Sequence, residues 1–69
     1  MKSAEENKWK VLSDFLTPEV RTEKRIEIMA ATEWSEATFY KKMKTPDKLR
    51  PMEKEVVAKI YNMPVEFIF

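Results

Sequence analysis

Apolar residues recur at three- and four-residue intervals along most of the chain, which is the spacing of one face of an α-helix. The first such stretch opens with Ser3-Ala4-Glu5-Glu6, which fits a capping box, in which serine and glutamate bond reciprocally to backbone N–H groups at a helix start. Because proline disfavours a helical conformation in the residue before it, Thr17-Pro18 predicts the end of this first helix at about Leu16. The predicted apolar positions are Trp9, Leu12 and Leu16, with Val11 and Phe15 beside them.

Two further helices are predicted on either side of a short corner. The second helix begins near Thr17 or near Thr22 and ends near Ala31. Its apolar positions are Ile26, Met29 and Ala30, with Ile28 beside them. Ser35 is the expected N-cap of a third helix at about residues 35–44, because a serine oxygen accepts from backbone N–H groups of the first turn. The positions expected to face inward are Trp34, Phe39 and Met43.

A fourth helix and an apolar end complete the pattern. Thr45-Pro46-Asp47 is predicted to stop the third helix and to open a polar loop, after which Pro51 suits the first turn of the fourth helix. Asn62 can close that helix in the left-handed conformation, and residues 63–69 fit either a helical turn or a short strand. The positions predicted to share the apolar face of the fourth helix are Met52, Val56 and Ile60.

Composition favours helices throughout. The chain has no glycine in 69 residues, so the Asn-Gly and Asp-Gly turns that are typical of β-hairpins are not available. We therefore predict an all-α fold, a compact four- to five-helix bundle in which residues 1–69 form a single domain. The chain also lacks cysteine and histidine, so we expect no disulfide and no metal site, and packing of the apolar 43% must stabilise the fold.

An enzyme is not expected. The chain has no histidine or cysteine for acid–base or nucleophilic chemistry and no glycine-rich phosphate loop, and its length leaves little room for a substrate pocket. We predict no catalytic residue, no cofactor and no small-molecule substrate. No apolar run approaches the roughly 18 residues of a membrane span, and the N-terminus lacks the apolar stretch of a signal peptide. The expected location is therefore the cytoplasm, without a membrane partner.

Positive charge is concentrated in one part of the chain. Residues 34–50 carry five basic against two acidic residues, a net charge of +3, whereas residues 1–33 and residues 51–69 each carry a net charge of −1. The basic residues of this segment are Lys41, Lys42, Lys44, Lys48 and Arg50. Such a patch can neutralise phosphates and release condensed counterions, but lysine-rich helix faces are also common as merely solvated surfaces. Charge alone leaves both interpretations open.

The second and third predicted helices, with the short corner between them, have the layout of a helix-turn-helix. Residues 25–44, followed by residues 56–65, resemble the helix-turn-helix of the lambda-repressor and Cro-like family, to which phage and bacterial repressors belong. Trp34-Ser35 is similar to the apolar-Ser step into the family's recognition helix, and Thr38-Phe39-Tyr40 is similar to its Thr-apolar-polar step. Residues 58–64 resemble its later Ala-x-x-Leu-Gly-Val-Ser helix ending. The resemblance covers roughly residues 5–69.

Three positions depart from the family pattern. The family favours a small residue at the position of Met29, leucine at that of Thr32 and glycine at that of Glu33. A non-glycine residue at the corner has two ways to fit: Glu33 adopts a left-handed conformation at some energetic cost, or the corner is one residue longer than usual.

The resemblance implies a small transcriptional regulator that binds double-stranded DNA sequence-specifically, with its third helix in the major groove. Glu36 is ambiguous there, because a carboxylate can accept from a cytosine amino group or repel the phosphate backbone. The residues expected to face DNA are Ser35, Glu36, Ala37, Tyr40, Lys41 and Lys44 on the third helix, with Lys48 and Arg50 on the loop after it. We expect a homodimer on two half-sites, with the apolar segment 65–69 as the candidate contact between its subunits.

A second interpretation keeps the fold but makes it a protein-interaction module. Its candidate surface is the apolar C-terminus, which contains Val65, Phe67, Ile68 and Phe69. The same residues could instead close the hydrophobic core or form the dimer contact. The sequence leaves these alternatives open.

Overall fold

The computed structural model describes residues 7–69, which form five α-helices and one 3₁₀ turn without any strand in that range. The elements are α1 (Lys8–Phe15), α2 (Pro18–Thr32), α3 (Glu36–Lys44), the 3₁₀ turn (Pro46–Lys48), α4 (Pro51–Ile60) and α5 (Val65–Ile68). The predicted all-α class is confirmed for these residues, and the C-terminal segment is a helical turn. None of these helices combines the length and the apolar character that crossing a membrane requires.

Polar side chains begin the first three helices. Asn7 is extended, and its Oδ1 accepts from the Lys10 backbone N–H at 3.1 Å, so α1 begins later than predicted. The capping box predicted at residues 3–6 lies outside the described residues. Thr17 Oγ1 accepts from Val20 N–H at 3.3 Å, which decides between the two predicted starts of α2. Ser35 Oγ accepts from the Thr38 backbone N–H at 3.2 Å, as predicted.

Two helices end in left-handed residues. Glu33 has φ 65° and ψ 22° and closes α2, its N–H donating to Met29 O at 2.7 Å. Asn62 has φ 60°, which confirms its predicted role after α4. Thr32 strengthens the end of α2, because its hydroxyl donates to Ile28 O at 2.7 Å. The connection between α2 and α3 is therefore only the three residues 33–35.

The hydrophobic core gathers residues from every α-helix. Trp9 of α1 is fully buried, and its ring meets those of Phe39 and Phe69 edge-on, with 5.7 Å between centroids in each case. Its Nε1–H donates to the Tyr61 hydroxyl at 3.2 Å. The other buried apolar residues are Ile28, Met43, Leu49, Val57, Ala58 and Ile68. Phe39 and Met43 confirm the predicted inward face of α3, whereas Trp34 is only half-buried against the core.

The apolar faces predicted for α2 and α4 are each rotated slightly about the helix axis from the faces that are buried. In α2, Ile28 is 0% exposed while Ile26 is 57% exposed, and in α4, Val57 is buried while Met52 is 78% exposed. In both helices the sequence offers apolar residues on adjacent faces at helical spacing. Packing of α2 against α4 selects the face that contains Ile28 and Val57.

The loop after α3 is less polar than predicted. Residues 46–48 form the 3₁₀ turn, in which the Lys48 N–H donates to Thr45 O at 3.0 Å. Leu49 follows and is only 4% exposed, so it belongs to the core. The loop therefore anchors itself between α3 and α4.

Two side chains of α2 donate hydrogen bonds to backbone carbonyl groups at the C-termini of other helices. Arg21 of α2 donates from Nε to Ser13 O and from Nη2 to Leu16 O, each at 3.0 Å, at the C-terminus of α1. Lys24 Nζ donates to Ile60 O at 3.0 Å at the end of α4. The carbonyl groups of Leu16 and Ile60 gain their partners in this way, whereas Ser13 O also accepts from the Leu16 backbone N–H at 3.1 Å.

Candidate nucleic-acid interface

Helix α3 buries one side and exposes the other. Phe39 and Met43 face the core, while Ala37, Tyr40, Lys41 and Lys44 are exposed. Counted from Ala37, the other three lie three, four and seven residues further along, which places all four on one face of the helix. Tyr40 is 47% exposed, and its ring packs edge-on against Phe39 at 5.2 Å between centroids.

The structure leaves every residue of the predicted DNA-facing set accessible. Ser35 caps α3 and Glu36 begins it, Lys48 lies in the 3₁₀ turn that packs against α3, and Arg50 directly precedes α4. The exposed residues are Ser35, Glu36, Ala37, Tyr40, Lys41, Lys44, Lys48 and Arg50. None of these side chains is buried, so each is accessible to a partner.

The cations of this surface have no acidic partner among residues 7–69. The ion pairs in that range are Lys10–Asp14, Arg25–Glu36 and Lys42–Glu53. Within residues 7–69, the cations outside these pairs on this surface are Lys41, Lys44, Lys48 and Arg50, and Asp47 is exposed beside Lys48 in the chain. The surface therefore keeps a positive excess that points into solvent, where it is available to an anionic partner.

Glu36 is balanced by a residue that the sequence analysis did not single out. Arg25 Nη1 of α2 lies 2.8 Å from Glu36 Oε2, and the Arg25 guanidinium also lies over the Tyr40 ring, 5.9 Å from its centroid. Because the Glu36 side chain is 61% exposed, the pair contributes little to stability, roughly 0–1 kcal/mol. The main consequence of the pair is electrostatic, because the Arg25 guanidinium offsets the negative charge of the Glu36 carboxylate at the start of α3.

Lys42 differs from its neighbours on α3. Its Nζ lies 5.6 Å from the centroid of the Trp34 ring and 3.9 Å from Glu53 Oε1. Lys42 is half-buried and already has both an aromatic and an acidic partner. It therefore does not contribute to the exposed positive surface.

The apolar C-terminal segment, residues 65–69, mostly completes the core. Ile68 is buried, Val65 and Phe69 are half-buried, and Lys54 Nζ lies 5.8 Å from the Phe69 ring centroid. Phe67 is 68% exposed and is the apolar side chain of this segment that remains for an outside contact.

A cleft of about 360 Å³ opens beside α3 and was not predicted. Its base is made by buried residues from α1, α3 and the end of α4, namely Ser13, Phe39, Met43 and Tyr61. Its rim contains Lys10, Asp14, Pro18, Arg21, Thr22, Arg25 and Tyr40. Tyr40 and Arg25 thus touch both the cleft and the exposed surface of α3.

Protein-family models, curated proteins and solved structures were each compared with this chain, and none of the three comparisons gives a significant match.

Proposed function

We propose that the chain is a sequence-specific DNA-binding protein of the helix-turn-helix type, in which α2 and α3 form the motif and α3 enters the major groove. The observation that carries this proposal is the exposed face of Ala37, Tyr40, Lys41 and Lys44, continued by the basic residues after α3. A short helix that buries its other side and presents exposed cations has the form needed to read bases while it meets phosphates.

The corner between α2 and α3 supports the same proposal. Glu33 has φ 65° and ψ 22°, a conformation that glycine adopts without steric cost and that the lambda-repressor-like motif provides with glycine at this position. Ser35 then caps α3 in the manner expected of the resemblance. The departure at Glu33 is therefore compatible with the backbone of a helix-turn-helix corner.

The side chains suggest a division of roles. Lys41, Lys44, Lys48 and Arg50 would meet phosphates, since cations without acidic partners can release counterions on binding. Tyr40 would contact bases or sugars, and the Ala37 methyl group suits a thymine methyl in the major groove. Ser35 contributes less to base readout, because its hydroxyl is engaged with Thr38 N at 3.2 Å and with Thr38 Oγ1 at 3.0 Å.

The direct experiment measures binding to a mixed-sequence DNA duplex by fluorescence anisotropy at several salt concentrations. The variant Lys41→Glu/Lys44→Glu reverses two charges on the proposed surface. Its matched control, Lys8→Glu/Lys59→Glu, makes the same change in net charge at exposed positions on α1 and α4. Circular dichroism verifies that both variants remain helical.

The proposal predicts that the parent binds with an affinity that falls steeply as salt rises. The α3 variant should lose binding, whereas the control should keep most of the affinity and nearly the same salt slope. Each lost phosphate contact should lower that slope by about 0.9. Absence of binding by the parent at low salt, or an equal loss in both variants, would refute the proposal. If binding is found, selection of a preferred sequence tests whether the protein is a regulator.

An apolar contact through Phe67 is a second candidate role, as the contact between two subunits on DNA half-sites or as a binding surface for another protein. The observation in its favour is the 68% exposure of Phe67. Phe67→Ser should lower self-association in sedimentation without unfolding the chain, because Phe67 is outside the core. Phe69 is unsuitable for this test, because its ring packs on Trp9.

A further inference from the structure

The cleft beside α3 has the size and the construction of a small-ligand site. Its volume of about 360 Å³ lies within the roughly 300–1,000 Å³ of ligand pockets. The base combines the apolar surfaces of Phe39, Met43 and Tyr61 with a serine, Ser13, and all four residues are buried. Charged groups surround this base only at the rim, as in pockets that hold an apolar group and orient it by its polar end.

The rim carries more positive than negative charge. Lys10 is paired with Asp14 at 3.1 Å, and Arg25 is paired with Glu36 at 2.8 Å. Arg21 has no acidic partner among residues 7–69. Its Nε and Nη2 instead donate to backbone carbonyl groups. Those bonds fix the guanidinium at the mouth of the cleft and leave other N–H groups for an acceptor.

We infer that this cleft binds a small organic anion, in which a carboxylate or phosphate bonds to Arg21 and an aromatic or branched apolar group covers the base. A guanidinium suits such a ligand, because its N–H groups match the oxygens of planar carboxylates and of phosphates. The apolar lining distinguishes this ligand from an inorganic ion, which would gain nothing from covering the exposed Tyr40 and Pro18 beside the base.

Occupation of the cleft would also act on DNA binding, a part of the inference that rests on the proposed function. Tyr40 lines the cleft and stands on the exposed face of α3, and Arg25 joins the cleft to Glu36. A bound anion places negative charge beside α3 and competes for Arg25, which leaves the Glu36 carboxylate less balanced. Both effects oppose the approach of phosphates, so the ligand would weaken DNA binding.

The binding site is tested without DNA, by ¹H–¹⁵N NMR of the full chain titrated with phenyl phosphate. The expected result is saturable movement of the backbone signals of Ser13, Thr22 and Phe39 and of the Arg21 Nε–H signal. Inorganic phosphate, which has the anion without the ring, and benzyl alcohol, which has the ring without the anion, should each bind at least tenfold more weakly.

Variants separate the cleft from general surface charge. Thr22→Phe fills the cleft from its exposed rim and should abolish the shifts, and Arg21→Gln should weaken binding at least tenfold. Lys59→Gln removes one cation from an exposed position outside the cleft and should bind like the parent. Arg21 also closes α1, so Thr22→Phe decides the outcome if Arg21→Gln does not fold. Unchanged binding in Thr22→Phe, or equal affinity for inorganic phosphate, overturns the site.

The effect on DNA is measured separately. Saturating phenyl phosphate should lower the affinity for duplex DNA at least threefold relative to inorganic phosphate at equal ionic strength, and Thr22→Phe should remove the difference. Shifts in the cleft without a change in DNA affinity would retain the site and overturn its regulatory effect. If the chain binds no DNA, the regulatory effect falls with the proposed function, while the NMR titration still decides whether the cleft binds the anion.

Discussion

The hydrogen bond between Trp9 and Tyr61 makes a quantitative prediction about stability. Trp9 is fully buried, and its Nε1–H donates to the Tyr61 hydroxyl at 3.2 Å. Tyr61→Phe keeps the ring and opens no cavity, but it leaves the indole N–H buried without its partner. An unsatisfied buried donor costs about 1–3 kcal/mol, so we expect the free energy of unfolding to fall by that amount. For a chain of this size the melting temperature should fall by about 4–8 °C per kcal/mol.

Urea unfolding followed by tryptophan fluorescence measures this loss, and thermal unfolding by circular dichroism checks it. Tyr40→Phe is the matched control, because it removes a hydroxyl from a ring that is 47% exposed and outside the core. Its stability should stay within about 0.5 kcal/mol of the parent. A Tyr61→Phe variant as stable as the Tyr40→Phe control, with an unchanged urea dependence, would refute the reasoning. Water or a rearranged core would then be satisfying the indole N–H.

Three further predictions concern the corner, the loop and alkaline pH. Glu33→Gly should raise the free energy of unfolding by about 0.5–1 kcal/mol in urea titrations, because relief of the left-handed backbone strain outweighs the greater conformational freedom of glycine in the unfolded chain. Glu33→Ala keeps a Cβ atom at this position and should show no gain in stability. Leu49→Ala should lower the free energy of unfolding by about 2–5 kcal/mol, since it leaves a cavity at a core position. Lys48→Ala, at the neighbouring exposed position, should be nearly neutral. Equal effects of the two substitutions would place Leu49 outside the core. Burial raises the pKa of Tyr61 in the folded chain, and the hydrogen bond from Trp9 opposes this only in part. The folded state therefore holds that proton more tightly than the unfolded state, so the Tyr61 contribution is complete below about pH 10 and is lost as pH rises through the raised pKa. Urea midpoints should fall more steeply above about pH 10 in the parent than in Tyr61→Phe, and parallel curves would contradict the assignment.

Helix boundaries were predictable from the sequence because local chemistry sets them. Ser35 caps α3, Pro51 begins α4 and Asn62 takes the left-handed conformation, each as its residue type predicts. Asn7 was missed as the start of α1, because the preceding Ser-x-x-Glu pattern offered a second cap. Its side chain oxygen binds Lys10 N–H, a local contact that the sequence also permits.

Helix faces and long-range contacts could not be predicted in the same way. Ile26 and Ile28 both fit an apolar stripe, and only the position of α4 decides that Ile28 is buried. The pairing of Arg25 with Glu36 depends on the angle between α2 and α3, which no spacing rule supplies. The accessibility of the α3 surface was predictable, because its polar positions lie opposite Phe39 and Met43. The cleft was not, since its walls come from separate parts of the chain.

The contacts that α2 makes with the ends of other helices bear on how the chain opens. Arg21 holds the carbonyl end of α1 and Lys24 holds that of α4, so hydrogen bonds link α2 to both helices, and α2 also packs against α4. Loss of α2 would release two other helix termini at once and expose Ile28. Partial unfolding that spares the rest of the chain is therefore disfavoured for α2. Its central amide protons should exchange with solvent only when the whole chain unfolds.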